Sequence, residues 1–229
     1  MANLTTIFIS VVGGTLPALL WLWFWLHEDR KSPEPKRKIL AAFVCGMFSV
    51  ALVLPIEKFF YGFFGNVITL VTLLSWATTE EILKFGAGFF STLRKNIDND
   101  EPIDAFIYLV SAALGFSALE NSLFLLKALN SENLTQSIIS GNMRFIGATL
   151  LHVASSATIG IFAGLGFFLD KESKKIHLFT GILVAICLHT IFNWFIIKAG
   201  ENLFFVFGGV WLSIICIIFM IEKVKTLKI

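Results

Sequence analysis

The chain has 229 residues, 56% of them hydrophobic and 15% charged, with mean hydropathy +0.81 and a formal net charge of +2. A soluble domain of this length carries about 25% charged residues, so composition excludes a water-soluble enzyme. The longest polar stretch is about a dozen residues, which leaves no room for a soluble domain; the net charge of +2 says little by itself, and no nucleic-acid partner is expected.

A helix needs about 20 mostly apolar residues to cross the hydrocarbon. Seven stretches qualify, roughly 3–26, 39–58, 66–90, 104–127, 143–169, 177–198 and 202–221. Backbone groups cannot go unpaired in lipid, and no segment shows the ten-residue alternation of a barrel strand. The expected fold is therefore all-α, a polytopic transmembrane bundle of about seven spans. It is read as one integral membrane domain over residues 1–229, with a catalytic core at about 66–198.

The first span has no basic residue before it and no small-residue cleavage pattern after it, so it reads as a retained helix. Ser32-Pro33-Glu34-Pro35 breaks the connection that follows. Lysine and arginine then set the orientation. Thirteen lie in the loops at 27–38, 91–103 and 170–176 and in the C-terminal tail, against four on the alternate side. The bias predicts an outside N-terminus and a cytoplasmic C-terminus. Cys45, Cys187 and Cys216 all fall in apolar runs without CxxC spacing and read as buried small hydrophobes.

The third span contains Thr78-Thr79-Glu80-Glu81-Ile82-Leu83-Lys84. Adjacent carboxylates point about 100° apart on a helix and cannot both face one spot. Lys84 is within reach of either, most simply of Glu80 one turn away. One glutamate is then the working group while the other pairs with Lys84. The fourth span contains Gly115-Phe116-Ser117-Ala118-Leu119-Glu120-Asn121, whose small residues let a neighbouring helix approach. Asp104 opens this span and reads as an ordinary helix cap.

The fifth span opens with Arg144 and holds His152 two turns on, followed by Gly160, Gly164 and Gly166 as close-packing positions. The sixth contains His189-Thr190-Ile191-Phe192-Asn193, with imidazole and amide on one face. An asparagine there can donate to a developing oxyanion or orient the histidine.

A charged group at the bilayer centre costs at least about 2.5–3.5 kcal/mol on insertion scales. Five acidic or imidazole groups at comparable height on four helices point to one shared, water-containing cavity. The candidate catalytic residues are Glu80, Glu81, Glu120, His152, His189 and Asn193, supported by Lys84, Asn121 and Arg144. Two schemes suit peptide hydrolysis. In one, Glu81 or Glu80 is the general base, while His152, His189 and Asn193 polarise water and oxyanion. In the other, Glu120, His152 and His189 hold Zn²⁺ and another glutamate is the base. A proton- or ion-coupled transporter also uses such groups, but no inverted repeat is visible. A scaffold glued by polar residues would not need them at one depth.

Taken in order, Glu80-Glu81-x-x-Lys84, Gly115-Phe116-x-x-x-Glu120-Asn121, Arg144 followed by His152, and His189-x-x-x-Asn193 resemble the PrsW family of intramembrane proteases. Asp104 and Tyr108 resemble the family's start to the fourth span. The resemblance covers residues 75–195 or so. It implies cleavage of membrane-tethered proteins in a prokaryotic cell membrane; the family's namesake role is cutting a membrane-bound anti-sigma factor in a stress response. The family is distantly similar to the CAAX protease and bacteriocin-processing superfamily, which shares the double glutamate and the His-x-x-x-Asn. Those relatives typically carry histidine where this chain has Glu120.

Overall fold

The computed structural model describes residues 3–95, 99–130, 134–198 and 203–227, without the side chains of 95, 134–146 and 203. The described residues form seven α-helices: α1 (Leu4–Leu26), α2 (Lys36–Phe63), α3 (Leu70–Ser91), α4 (Asp104–Leu129), α5 (Leu134–Leu165), α6 (Lys171–Lys198) and α7 (Leu203–Lys225), with a short 3₁₀ turn at Leu93–Lys95. There is no strand among the described residues. Six of the helices are long and apolar enough to cross a membrane. The exception is α3, whose 22 residues include Glu80, Glu81 and Lys84.

The bundle is organised around α4. From Asp104 to Ala118 every residue of α4 is buried, because α1, α2, α3 and α5 all pack on it. Small residues make this possible. A Cβ on Gly115 would run into the Phe43 carbonyl, and one on Gly46 into that of Ala112, so the α2 and α4 backbones approach as closely as chains can. Gly160 likewise lies against the Phe106 backbone. The outer helices face outward with large apolar side chains, among them Phe8, Trp23, Phe48, Phe204 and Phe219. That is the arrangement expected where the surrounding solvent is lipid.

The helix ends differ from the hydropathy reading in instructive ways. α3 begins at Leu70 rather than near 66, because Gly65 and Asn66 adopt left-handed backbone (φ 78° and 59°) and turn the chain. Thr69 then caps the helix: its Oγ1 accepts the Thr72 N–H at 3.2 Å while Thr72 Oγ1 accepts the Thr69 N–H at 3.3 Å. α6 begins at Lys171 rather than near 177. Its polar first turn is helical, and Asp170 Oδ1 accepts the Ser173 N–H at 3.1 Å; the exposed Asp170 carboxyl is held below its usual range by that serine.

Two other expectations fail. Asp104 is not the cap; Ile103 occupies that position, and Asp104 Oδ2 accepts the Glu101 N–H at 2.7 Å. Cys187 and Cys216 are exposed and Cys45 half-buried; an apolar surrounding solvent supplies no drive to bury a thiol.

Candidate active site

Four helices bring their polar groups together near mid-length. Glu80 and Glu81 lie halfway along α3, Glu120 on α4, His152 on α5 and His189 on α6. Glu80, His152 and His189 each offer one ligand-capable atom, all within 4.8 Å of one another, and all three residues are buried. The sequence expectation grouped Glu120 with the two histidines. In the fold Glu80 stands between the imidazoles, and Glu120 lies on the far side of His152.

The two adjacent glutamates have different surroundings, as their 100° offset demands. Glu81 is fully enclosed. Its Oε1 receives Lys84 Nζ at 2.6 Å and His189 Nδ1–H at 2.6 Å, and its Oε2 receives the Ser156 hydroxyl at 3.4 Å. Lys84 thus pairs with Glu81, not with Glu80 as the one-turn spacing suggested. The i,i+3 partner wins because Lys84 also bonds His152 Nδ1 at 3.0 Å and lies 5.2 Å from the Phe116 ring centre, which fixes the ammonium on the Glu81 side.

His152 Nε2 bonds Glu120 Oε2 at 2.8 Å. An ammonium has only donors, so Lys84 makes Nδ1 the acceptor and places the His152 proton on Nε2, donated to Glu120. His189 donates Nδ1–H to Glu81, which leaves Nε2 with its lone pair. Both lone-pair nitrogens then face one atom: Glu80 Oε2 lies 3.6 Å from His152 Nδ1, which also accepts from Lys84, and 3.7 Å from His189 Nε2. That oxygen is buried without a hydrogen-bond partner among the described residues. The imidazole rings are nearly perpendicular, with centres 5.3 Å apart.

Of these three converging acceptors His152 Nδ1 has a donor in Lys84, but the buried Glu80 Oε2 has none among the described residues, an unfavourable arrangement in a buried site. A cation among them removes the penalty. Ligand atoms about 2.0–2.2 Å from a tetrahedral ion stand about 3.3–3.6 Å apart, close to the distances seen. The donor set therefore suits a metal ion, and each imidazole already carries a carboxylate on its other nitrogen. That pairing fixes the orientation of histidine ligands in metal sites.

The remaining candidates frame this centre. Asn121 Nδ2 donates to Thr149 Oγ1 at 2.9 Å and to Ser117 Oγ at 3.2 Å, and Ser117 donates to Thr149 at 3.0 Å. This clamp sets α4 against α5 one turn from His152, and so fixes the Glu120–His152 register. Asn193 is half-buried one turn beyond His189. The Arg144 side chain lies outside the described residues. Two contributors were not picked from sequence. Ser156 follows His152 by four residues, a spacing that could have revealed it; Thr149 precedes His152 by three.

The chain matches the family described as "PrsW family intramembrane metalloprotease" over residues 34–221. It is similar to proteins named "Protease PrsW" from three bacteria. That of Geobacillus kaustophilus is 27% identical over 197 residues, covering 83% of this chain and 80% of the relative. That of Oceanobacillus iheyensis is 30% identical over 203 residues, covering 85% and 86%. That of Bacillus subtilis is 28% identical over 205 residues, covering 85% of each. No solved structure gives a significant match.

Proposed function

The chain belongs to the PrsW family of intramembrane metalloproteases, and from that premise we propose that it cleaves a membrane-tethered protein using a metal held by Glu80, His152 and His189. The observation that carries this reading is Glu80 Oε2, orphaned between two ring nitrogens at 3.6 and 3.7 Å. Two imidazoles and a carboxylate are the usual protein ligands of a catalytic zinc, so Zn²⁺ is the ion proposed. When bound, such an ion polarises the scissile carbonyl and acidifies water.

The protein's own groups do the rest. Glu81 holds the His189 ring by its Nδ1–H, and Lys84 balances the Glu81 charge. Glu120 holds the His152 ring by its Nε2–H. With its side chain 24% exposed, Glu120 is also the most accessible site carboxylate. Standing beyond His152, it takes the proton of the attacking water through one intervening water and returns it to the leaving amine. Asn193 donates its amide to the oxyanion. The buried helix walls keep bulk water from the tetrahedral state. Asn121 keeps Glu120 opposite His152.

The substrate class is a membrane-tethered anti-sigma factor, as the family resemblance implies. Residues 1–229 form one membrane domain with its catalytic core at 66–198, N-terminus outside and C-terminus cytoplasmic. The thirteen-to-four basic bias supports that orientation; a reporter fused after Ile229 should behave as cytoplasmic. An ion-coupled transporter gains no support from the family match.

The decisive experiment reconstitutes the full chain in vesicles with a single-span substrate and follows cleavage beside elemental analysis. Activity should track bound metal, vanish with chelator, return with Zn²⁺, and be lost with metal in Glu80→Gln. Cleavage at the parent rate by metal-stripped or Glu80→Gln protein overturns the ligand assignment.

A further inference from the structure

A second group of carboxylates lies at the other end of α4 from the catalytic centre. Glu34, from the α1–α2 connection, meets Asp100 and Asp104, and each offers one oxygen within 4.8 Å of the others. Sixteen residues of helix separate Asp104 from Glu120, about 24 Å at 1.5 Å per residue. The two groups are therefore distinct.

The surroundings of this cluster are not those of a solvated acidic patch. Glu34 is 7% exposed and Asp104 1%. Tyr108, one turn into α4, donates its hydroxyl to Glu34 Oε2. The Glu34 N–H donates to Asp29 Oδ2 at 3.1 Å, so a further carboxylate is buried alongside. Neither Glu34 nor Asp104 has an ion-pair partner among the described residues. Of the cations lining the adjoining cavity, Lys225 is committed to Glu28 at 2.6 Å and Glu222 at 2.8 Å, and Arg30 Nε donates to the His27 carbonyl at 3.1 Å.

Asp104 adds an independent observation. Its Oδ2 accepts the Glu101 N–H, while its Oδ1 is buried with no hydrogen-bond partner. The carboxyl so placed lies directly against that of Glu34.

We propose that Glu34, Asp100 and Asp104 bind a hard divalent cation that clamps the α1–α2 connection to the start of α4. The ligands are all oxygens, the set that Ca²⁺ and Mg²⁺ prefer, in contrast to the mixed nitrogen and oxygen set at mid-membrane. Oxygens around one Ca²⁺ stand at most about 4.6–5.2 Å apart, twice the bond length, so three oxygens within 4.8 Å of one another fall inside the span that one such ion bridges. Access is provided by a cavity of about 790 Å³ lined by Glu28, Asp29, Asp100 and Glu101. The exposed Asp100 sits at its wall and closes the site from the solvent side.

The test uses the full chain in detergent, in a Glu80→Gln background so that the mid-membrane centre does not contribute. After chelation, Ca²⁺ or Mg²⁺ should raise Tm saturably by several degrees. Tb³⁺ should bind with emission sensitised by Tyr108, and Asp104→Asn should abolish that emission. Asp100→Lys, at an exposed position that tolerates change, places an ammonium in the cation's stead. It should raise Tm without added ion and remove the response to Ca²⁺ and Mg²⁺. Absence of any Ca²⁺ or Mg²⁺ response in the Glu80→Gln protein overturns the proposal, as does a response that survives Asp100→Lys. Acidification alone would then raise Tm, the mark of carboxyls sharing a proton.

Discussion

At mid-helix, Glu80, Glu81 and Glu120 face His152, His189 and Lys84; at the head of α4, Glu34, Asp100 and Asp104 face one another and the Tyr108 hydroxyl. The first group has internal opposite charge, and every carboxylate but Glu80 has a strong donor. In the second, no ion pair joins Glu34, Asp100 or Asp104 to a cation among the described residues. The contrast follows from location. Deep in the bundle, carboxylates without protein partners would cost several kcal/mol each. At the helix head, an adjoining polar cavity admits solvent ions. Matched charge gives a centre whose geometry persists before any ligand arrives. Unmatched charge gives one whose order depends on what solvent delivers.

The contrast can be broken most severely at Glu120. If it moves the proton, Glu120→Gln should slow cleavage by about 10²–10⁴-fold while metal content holds. Asp104→Asn, in the unmatched group, should leave turnover of the folded fraction near that of the parent. Equal loss in both variants, measured on one substrate, would show that the two groups act as a unit.

Glu81 should matter less, because it acts through His189. Removal of a carboxylate that orients a ligand histidine costs about 10–100-fold in metal affinity or activity. Glu81→Gln should therefore show weakened metal retention by equilibrium dialysis, with partial rescue of cleavage at high Zn²⁺. An absolute loss that Zn²⁺ does not relieve would make Glu81 the proton carrier instead.

Lys84 tests whether internal charge matching holds the bundle. Breaking a buried pair by removing one partner costs about 3–5 kcal/mol. Lys84→Met should lower the unfolding midpoint in a reversible denaturant titration accordingly. A midpoint equal to the parent's would mean that His189 alone suffices for Glu81.

The smallest effect should come from Asn121. Interhelical hydrogen bonds in membranes average about 0.6 kcal/mol, with a maximum near 1.7. Asn121→Ala should fall in that range by unfolding, yet lower the turnover rate through misregister of Glu120 and His152. A loss of stability with turnover unchanged would reduce the clamp to simple glue.

Much of the mid-membrane centre was legible in the chain. Glu80, Glu81, Glu120, His152 and His189 are conspicuous because charge and imidazole are rare in apolar runs. Their common depth follows from counting along each span. Reading hydropathy for spans also hid part of the helices. The polar first turn of α6 is helical because Asp170 caps it, and capping is indifferent to whether the turn lies in lipid.

Composition and local pattern by themselves determined that this is an all-helical membrane chain and which polar residues lie within its apolar helices, since burial in lipid constrains each helix separately. Tertiary structure alone decided which partners each glutamate meets. Glu80 and Glu81 are neighbours with the same side chain. Only the rotation of α3 against α5 and α6 aims one between two imidazoles and encloses the other with Lys84 and Ser156. The same is true of Glu34, Asp100 and Asp104. They lie in separate connections and at a helix start, and no periodicity links them. They meet because α4 is the axis on which the rest of the bundle closes.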